Sequence, residues 1–97
     1  MNNLTISGYV GQEPEFKVID KDKKVCEFNL GVRHDKETTV WYTVEVWGSR
    51  TEQVYKNLPL RKRIIVEGIL KPQPRAWVDA DGNAQTRYEV YANSVEW

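Results

Sequence analysis

Two neighbouring stretches, Val25–Arg33 and Thr39–Trp47, alternate strictly between two kinds of side chain, with the polar turn His34–Thr38 between them. Successive strand residues point to opposite faces, so this pattern commits the middle of the chain to two successive β-strands. In the first, Cys26, Phe28, Leu30 and Val32 make an apolar face, and Glu27, Asn29, Gly31 and Arg33 an outward one. In the second, Val40, Tyr42, Val44 and Val46 form a core stripe. Its opposite face reads Trp41, Thr43, Glu45, Trp47.

The remaining residues extend the β pattern at short, even intervals. Leu4, Ile6 and Val10 alternate with polar or small residues, and Gly8 and Gly11 are spaced as in a strand that bends to close a barrel. Pro14 interrupts, Glu15–Ile19 resumes briefly, and Asp20–Lys24 is a charged turn. Ser49-Arg50-Thr51-Glu52 reads as a capping box opening a short helix, with Val54 and Leu58 as its apolar stripe and Pro59 as its stop. Ile64–Leu70 is expected to be a mostly buried strand. A last hairpin has arms near Arg75–Val78 and Thr86–Trp97, turning through Asp79–Asn83. The order of three strands, one helix and two strands predicts an all-β fold, a five-stranded OB-fold barrel with one short helix between strands 3 and 4. At 97 residues, the chain is one domain over 1–97.

The outward face of the Thr39–Trp47 strand departs from what solvent alone requires. Two indoles bracket it six residues apart, about 20 Å at the usual rise of a strand. Flat rings on a polar sheet face suit base stacking, worth about 1–3 kcal/mol per base without sequence preference. Trp77, on the approach to the last hairpin, is a third candidate. Trp97 is assigned nothing, and Tyr88 and Tyr91 fall on opposite sides of one strand.

Charge agrees once it is counted by segment. Lys+Arg and Asp+Glu are both 14, so no strong attraction to a polyanion is advertised by the total. From Arg61 to Arg75, however, Arg61, Lys62, Arg63, Lys71 and Arg75 face Glu67 alone, a run suited to tracking a phosphate backbone. Arg33 shares the polar face of its strand, and Lys17 lies just after Pro14. Glu45, between Trp41 and Trp47, would repel phosphate.

Other classes lack raw material. One histidine, His34, and one cysteine, Cys26, cannot build a His/Cys metal cluster or an internal disulfide. Cys26 shares the apolar face of Phe28 and Leu30 and reads as a small hydrophobe. The carboxylate pairs Asp20/Asp22 and Asp79/Asp81 sit in turns, where Asp bonds its own backbone. Neither catalysis nor a cofactor is expected. With no signal peptide and no apolar run of about 18 residues, no membrane partner is expected either, and the location expected is cytoplasmic. A protein-interaction module using the same tryptophans as interface anchors is the alternative.

The opening Met1-Asn2-Asn3-Leu4-Thr5-Ile6-Ser7-Gly8-Tyr9-Val10-Gly11-Gln12-Glu13-Pro14-Glu15 resembles the start of bacterial-type single-stranded DNA-binding proteins. Trp41-Tyr42-Thr43-Val44-Glu45-Val46-Trp47-Gly48 is similar to that family's aromatic strand. Val66-Glu67-Gly68 with Leu70, Arg75 and Trp77 resembles its fourth strand and basic, aromatic hairpin, with Asp81-Gly82-Asn83 at the tip. The likeness runs the length of the chain. It implies sequence-independent binding and protection of single-stranded DNA in replication, recombination and repair, by a nucleoid-associated homotetramer. Trp41, Trp47 and Trp77 match stacking positions, and Lys17, Lys62, Lys71 and Arg75 match or lie beside backbone-contacting ones. Two departures stand out. The turn His34–Thr38 is short and carries no aromatic, and the family's disordered segment with its acidic tip, which recruits replication and repair proteins, would lie beyond residue 97. The expectation is a DNA-binding core, cut from a longer protein or naturally tailless.

Overall fold

The computed structural model describes residues 2–97; Met1, the first residue of the opening motif, lies outside the described residues. The elements are β1 (Leu4–Val10), β2 (Glu15–Asp20), β3 (Lys23–Arg33), β4 (Thr39–Trp47), α1 (Thr51–Asn57), β5 (Arg63–Leu70), β6 (Arg75–Val78) and β7 (Ala84–Glu96). The strands run β1-β5-β7-β4-β3, and β3 returns to β1 through Tyr9 opposite Gly31 and Val10 opposite Leu30. Five strands thus close a barrel, with β4 and β7 parallel and the other barrel pairs antiparallel. β2 extends the sheet beyond β3, and β6 is a short arm on β7. With its helix between β4 and β5, this is the expected OB-fold barrel.

The inward stripes meet in one buried cluster that includes Val10, Phe28, Leu30, Val44, Val46, Ile64, Val66 and Val90. Val54 and Leu58 of the helix join it, as their spacing requires. Closure needs unusually close backbones. A Cβ on Gly8 would collide with the Gly31 carbonyl, and one on Gly68 with the Tyr91 carbonyl beside the register shift in β5. Bulkier residues at Gly8 or Gly68 would hold these strands apart.

Two expectations are corrected. The helix has no capping box: Arg50 is the N-cap and makes no side-chain cap bond. Its entry is held instead by the fully buried Thr51 hydroxyl, 2.7 Å from the Gly48 carbonyl and 3.2 Å from that of Val46, after a turn at Gly48 with φ +90°. A threonine tied back into the end of β4 fixes the helix more directly than an exposed serine could. Secondly, β5 is not buried on both sides. Ile64 and Val66 face the core, while Arg63, Ile65, Glu67 and Ile69 face outward, because in a barrel each strand has only one interior side.

Candidate nucleic-acid interface

Trp41 is seated by glycine. It pairs across the ladder with Gly31, and its six-membered ring lies over Gly31 and Gly11 so closely that a Cβ on either would sit 3.0 to 3.1 Å from Cη2. The outer edge of the indole therefore rests on backbone, and the residue stays part-exposed. Gly31 pairs onward with Tyr9, and Tyr9 with Arg63, so ladder register carries the same outer face round to β5. Tyr9, Arg33 and Arg63 line the depression beside Trp41, and the Arg63 guanidinium carbon lies 6.0 Å from the Tyr9 ring centre.

On the other side of Trp41 lies a polar junction. Asn29 Oδ1 accepts hydrogen bonds from Thr43 Oγ1 at 3.2 Å and from Arg87 Nη1 at 3.3 Å. Arg87 also stands over Trp77, 5.9 Å from the ring centre, and faces Arg75 across the β6–β7 ladder. One arginine on β7 thus links the hairpin tryptophan to the face carrying Trp41. The hairpin itself is set by Asp79, whose Oδ1 accepts from the amides of Asp81 and Asn83 and whose Oδ2 accepts from Gln85. Those bonds, the Asn83 amide first and then Gln85, hold the Asp79 carboxyl below its ordinary pKa against a slight opposing effect of burial.

Trp47 stands at the far end of β4, opposite Val25, which is in turn opposite Lys17. Trp41, Trp47 and Trp77 are 42%, 40% and 40% exposed, so each ring is supported by the protein yet keeps a surface free for a ligand. Between Trp47 and Trp41 the outward stripe is not solvent-facing throughout. Thr43 and Glu45 are buried, because β7 lies beside β4 and brings Glu89 and Tyr91 over them. The Lys71 ammonium sits between Glu45 and Glu89, 3.3 Å from the latter and in close ion-pair contact with the former. Burial works to lower the Lys71 pKa, but the hydrogen bond and charge of Glu45, reinforced by Glu89, outweigh it and the net shift is upward.

The basic run from Arg61 to Arg75 is consequently not one track. Arg63, at the start of β5, and Lys71, just past its end, are eight residues apart, about 26 Å at the usual rise. Arg63 joins Tyr9, Arg33 and Trp41; Arg75 joins Arg87 and Trp77; Lys62 is exposed in the turn before β5; and Lys71 is enclosed by acids. Lys17 remains half exposed, 3.6 Å from Glu15 and 3.9 Å from Glu27. Sequence reasoning passed over Tyr9, Asn29 and Arg87 as site residues. Tyr9 alternates with the inward Gly8 and Val10, and Arg87 is the lone base among the acids of the last segment, so both left a signal. Asn29 left none, since its role depends on what β7 brings across it.

Among the described residues no helix is long and apolar enough to cross a membrane, and no group of three or more His, Cys, Asp or Glu is placed to hold a metal. The chain is 27% identical over 94 residues to the "Single-stranded DNA-binding protein" of Chlamydia pneumoniae, covering 94% of this chain and 58% of that one. It is 28% identical to "Single-stranded DNA-binding protein 1" of Synechocystis sp., covering 99% and 82%. It is also 28% identical to "Single-stranded DNA-binding protein 2" of Streptomyces coelicolor, covering 95% and 50%. The chain thus spans a little over half the length of the chlamydial relative. A family model described as "Single-strand binding protein family" matches residues 1–97. On the barrel, the outward indoles and this full-length match, the chain belongs to the single-strand binding protein family.

Proposed function

We propose that residues 1–97 bind single-stranded DNA without sequence preference, stacking bases on Trp41, Trp47 and Trp77. Phosphates follow two basic groups, Arg33 and Arg63 beside Trp41, and Arg75 and Arg87 beside Trp77, with Lys17 and Lys62 at the margins. One outer face holding three part-exposed indoles, two of them flanked by arginines, carries this reading. Stacking supplies about 1–3 kcal/mol per base, and the scattered basic groups add a salt-dependent component. The domain works by binding alone, without catalysis or a cofactor. It serves DNA replication, recombination and repair in the cytoplasm, associated with the nucleoid, and assembles as a homotetramer. The outward Ile65 and Ile69, 45% and 40% exposed on β5, support self-association.

Adding poly(dT) at low salt is expected to quench the intrinsic tryptophan fluorescence strongly, with binding weakening as salt rises. Unchanged fluorescence at micromolar oligonucleotide would refute the stacking reading. A solution mass, free and with dT oligomers, tests the tetramer.

A further inference from the structure

The outward face between Trp47 and Trp41 is crossed by a row of acids. Glu15 is opposite Glu27, Glu27 is opposite Glu45, and Glu45 lies beside Tyr91 in β7, with Glu89 one outward position further along. Any strand that stacks on both tryptophans of β4 must pass this row. Four carboxylates in the middle of a polyanion's path oppose binding unless they are neutralised. The row is not uniform. At its β2 end the Glu15 side chain is 69% exposed and meets Lys17 only at 3.6 Å. At its β7 end the side chains of Glu45 and Glu89 are 11% and 22% exposed, with the Lys71 ammonium enclosed between them and lying 4.5 Å over the Tyr91 ring.

We propose that Lys71 is a positioning residue which offsets half of the combined charge of Glu45 and Glu89 and encloses the pair, making the β7 end of the acidic row the more passable to the strand, and that it does not itself contact phosphate. This rests on the single-stranded DNA reading above and deepens it. Three features support the assignment. The lysine side chain is only 19% exposed, which leaves little of the ammonium for a phosphate. Both nearest charges are carboxylates, and a partly buried ammonium with two anionic partners gives them up only at the cost of leaving them uncompensated. The Tyr91 ring covers a further side of it. Passage is therefore favoured over the closed β7 end, towards Arg87 and Trp77, rather than over the open Glu15 end.

The test is binding of a fluorescent dT oligomer across a salt series by the wild-type chain, K71M and the triple variant K71M/E45Q/E89Q, with thermal melts to verify folding. In single strands each phosphate contact contributes about 0.7 to the slope of log affinity against log salt. The triple variant removes charges but, on this proposal, no phosphate contact, so its slope should equal that of wild type. K71M alone uncovers both carboxylates and should bind at least about tenfold more weakly than the triple variant. A triple-variant slope reduced by about 0.7 would show a direct phosphate contact and overturn the proposal. So would K71M binding as well as the triple variant. Should K71M fail to fold, the slope of the triple variant decides alone. Wild-type chain that does not bind dT at all refutes the single-stranded DNA reading itself, an outcome distinct from either slope result.

Discussion

Replacing Gly31 with alanine separates the fold from the site. The new Cβ would lie 3.0 Å from Trp41 Cη2 and 3.1 Å from Cζ3, with Thr39 Cγ2 at 3.3 Å. Ordinary carbon–carbon contact is about 3.5–4.0 Å, so the ring must rise by about 0.5–1 Å. It can do so, since Trp41 is 42% exposed. The barrel is spared, and alanine in a strand even recovers part of the roughly 0.5–1 kcal/mol that glycine costs. Folding stability should therefore change by no more than about 1 kcal/mol. Stacking on Trp41 depends on the ring's seat, and losing it should weaken dT binding by about 1–2 kcal/mol, about 5- to 30-fold. Gly8→Ala is the contrasting case: its Cβ meets the Gly31 carbonyl, which is backbone and cannot move aside, and the cost falls on folding, about 3 kcal/mol or more. Thermal melts and fluorescence titrations of G31A, W41A and G31A/W41A complete the cycle. If G31A still weakens binding in the W41A background, the glycine acts by some route other than seating the indole.

Three further outcomes follow from the geometry. Trp47→Ala should lower dT affinity by about 1–3 kcal/mol with the salt slope unchanged; a reduced slope in the titration would mean that Trp47 positions a phosphate contact instead. Cys26 is fully buried, and burial first, then the charge of Glu27, raises its thiol from 9.0 to about 11. Because the folded pKa is the higher one, stability should be whole below the unfolded value and decline as pH rises through that interval. A thiol reagent should accordingly label Cys26 only on unfolding. Asp79 has the opposite sign: its lowered pKa means that its contribution is present above the unfolded carboxylate pKa and is lost as pH falls through the folded one. Protection of the Asp81 and Asn83 amides, measured relative to their intrinsic exchange rates, should fall in acid, and Asp79→Ala should show that loss of protection already at neutral pH.

How much was legible depended on how local each cause was. The Thr39–Trp47 alternation announced both the core stripe of Val44 and Val46 and the outward indoles, because strand geometry alone sends neighbours to opposite faces. The helix was legible from Val54 and Leu58, but its start was not, since Thr51 is held by carbonyls of β4 rather than by a neighbour in the turn. β-branched composition suggested a buried β5, whereas burial on one side only is a property of the closed barrel.

The sequence by itself determined the order of elements along the chain, the inward and outward faces of β3 and β4, and the outward placing of Trp41 and Trp47, all consequences of a two-residue period acting over a few positions. Only the tertiary structure decided the fate of the charges. Lys71 lies next to Leu70 in the chain, yet its partners are on β4 and β7; Arg87, alone among acids in sequence, reaches Asn29 on β3. Coulomb and hydrogen-bond energies depend on distances across the barrel, which residue spacing does not encode. The run of bases that reads as one strip is therefore divided by the fold into two basic groups and one closed ion pair cluster.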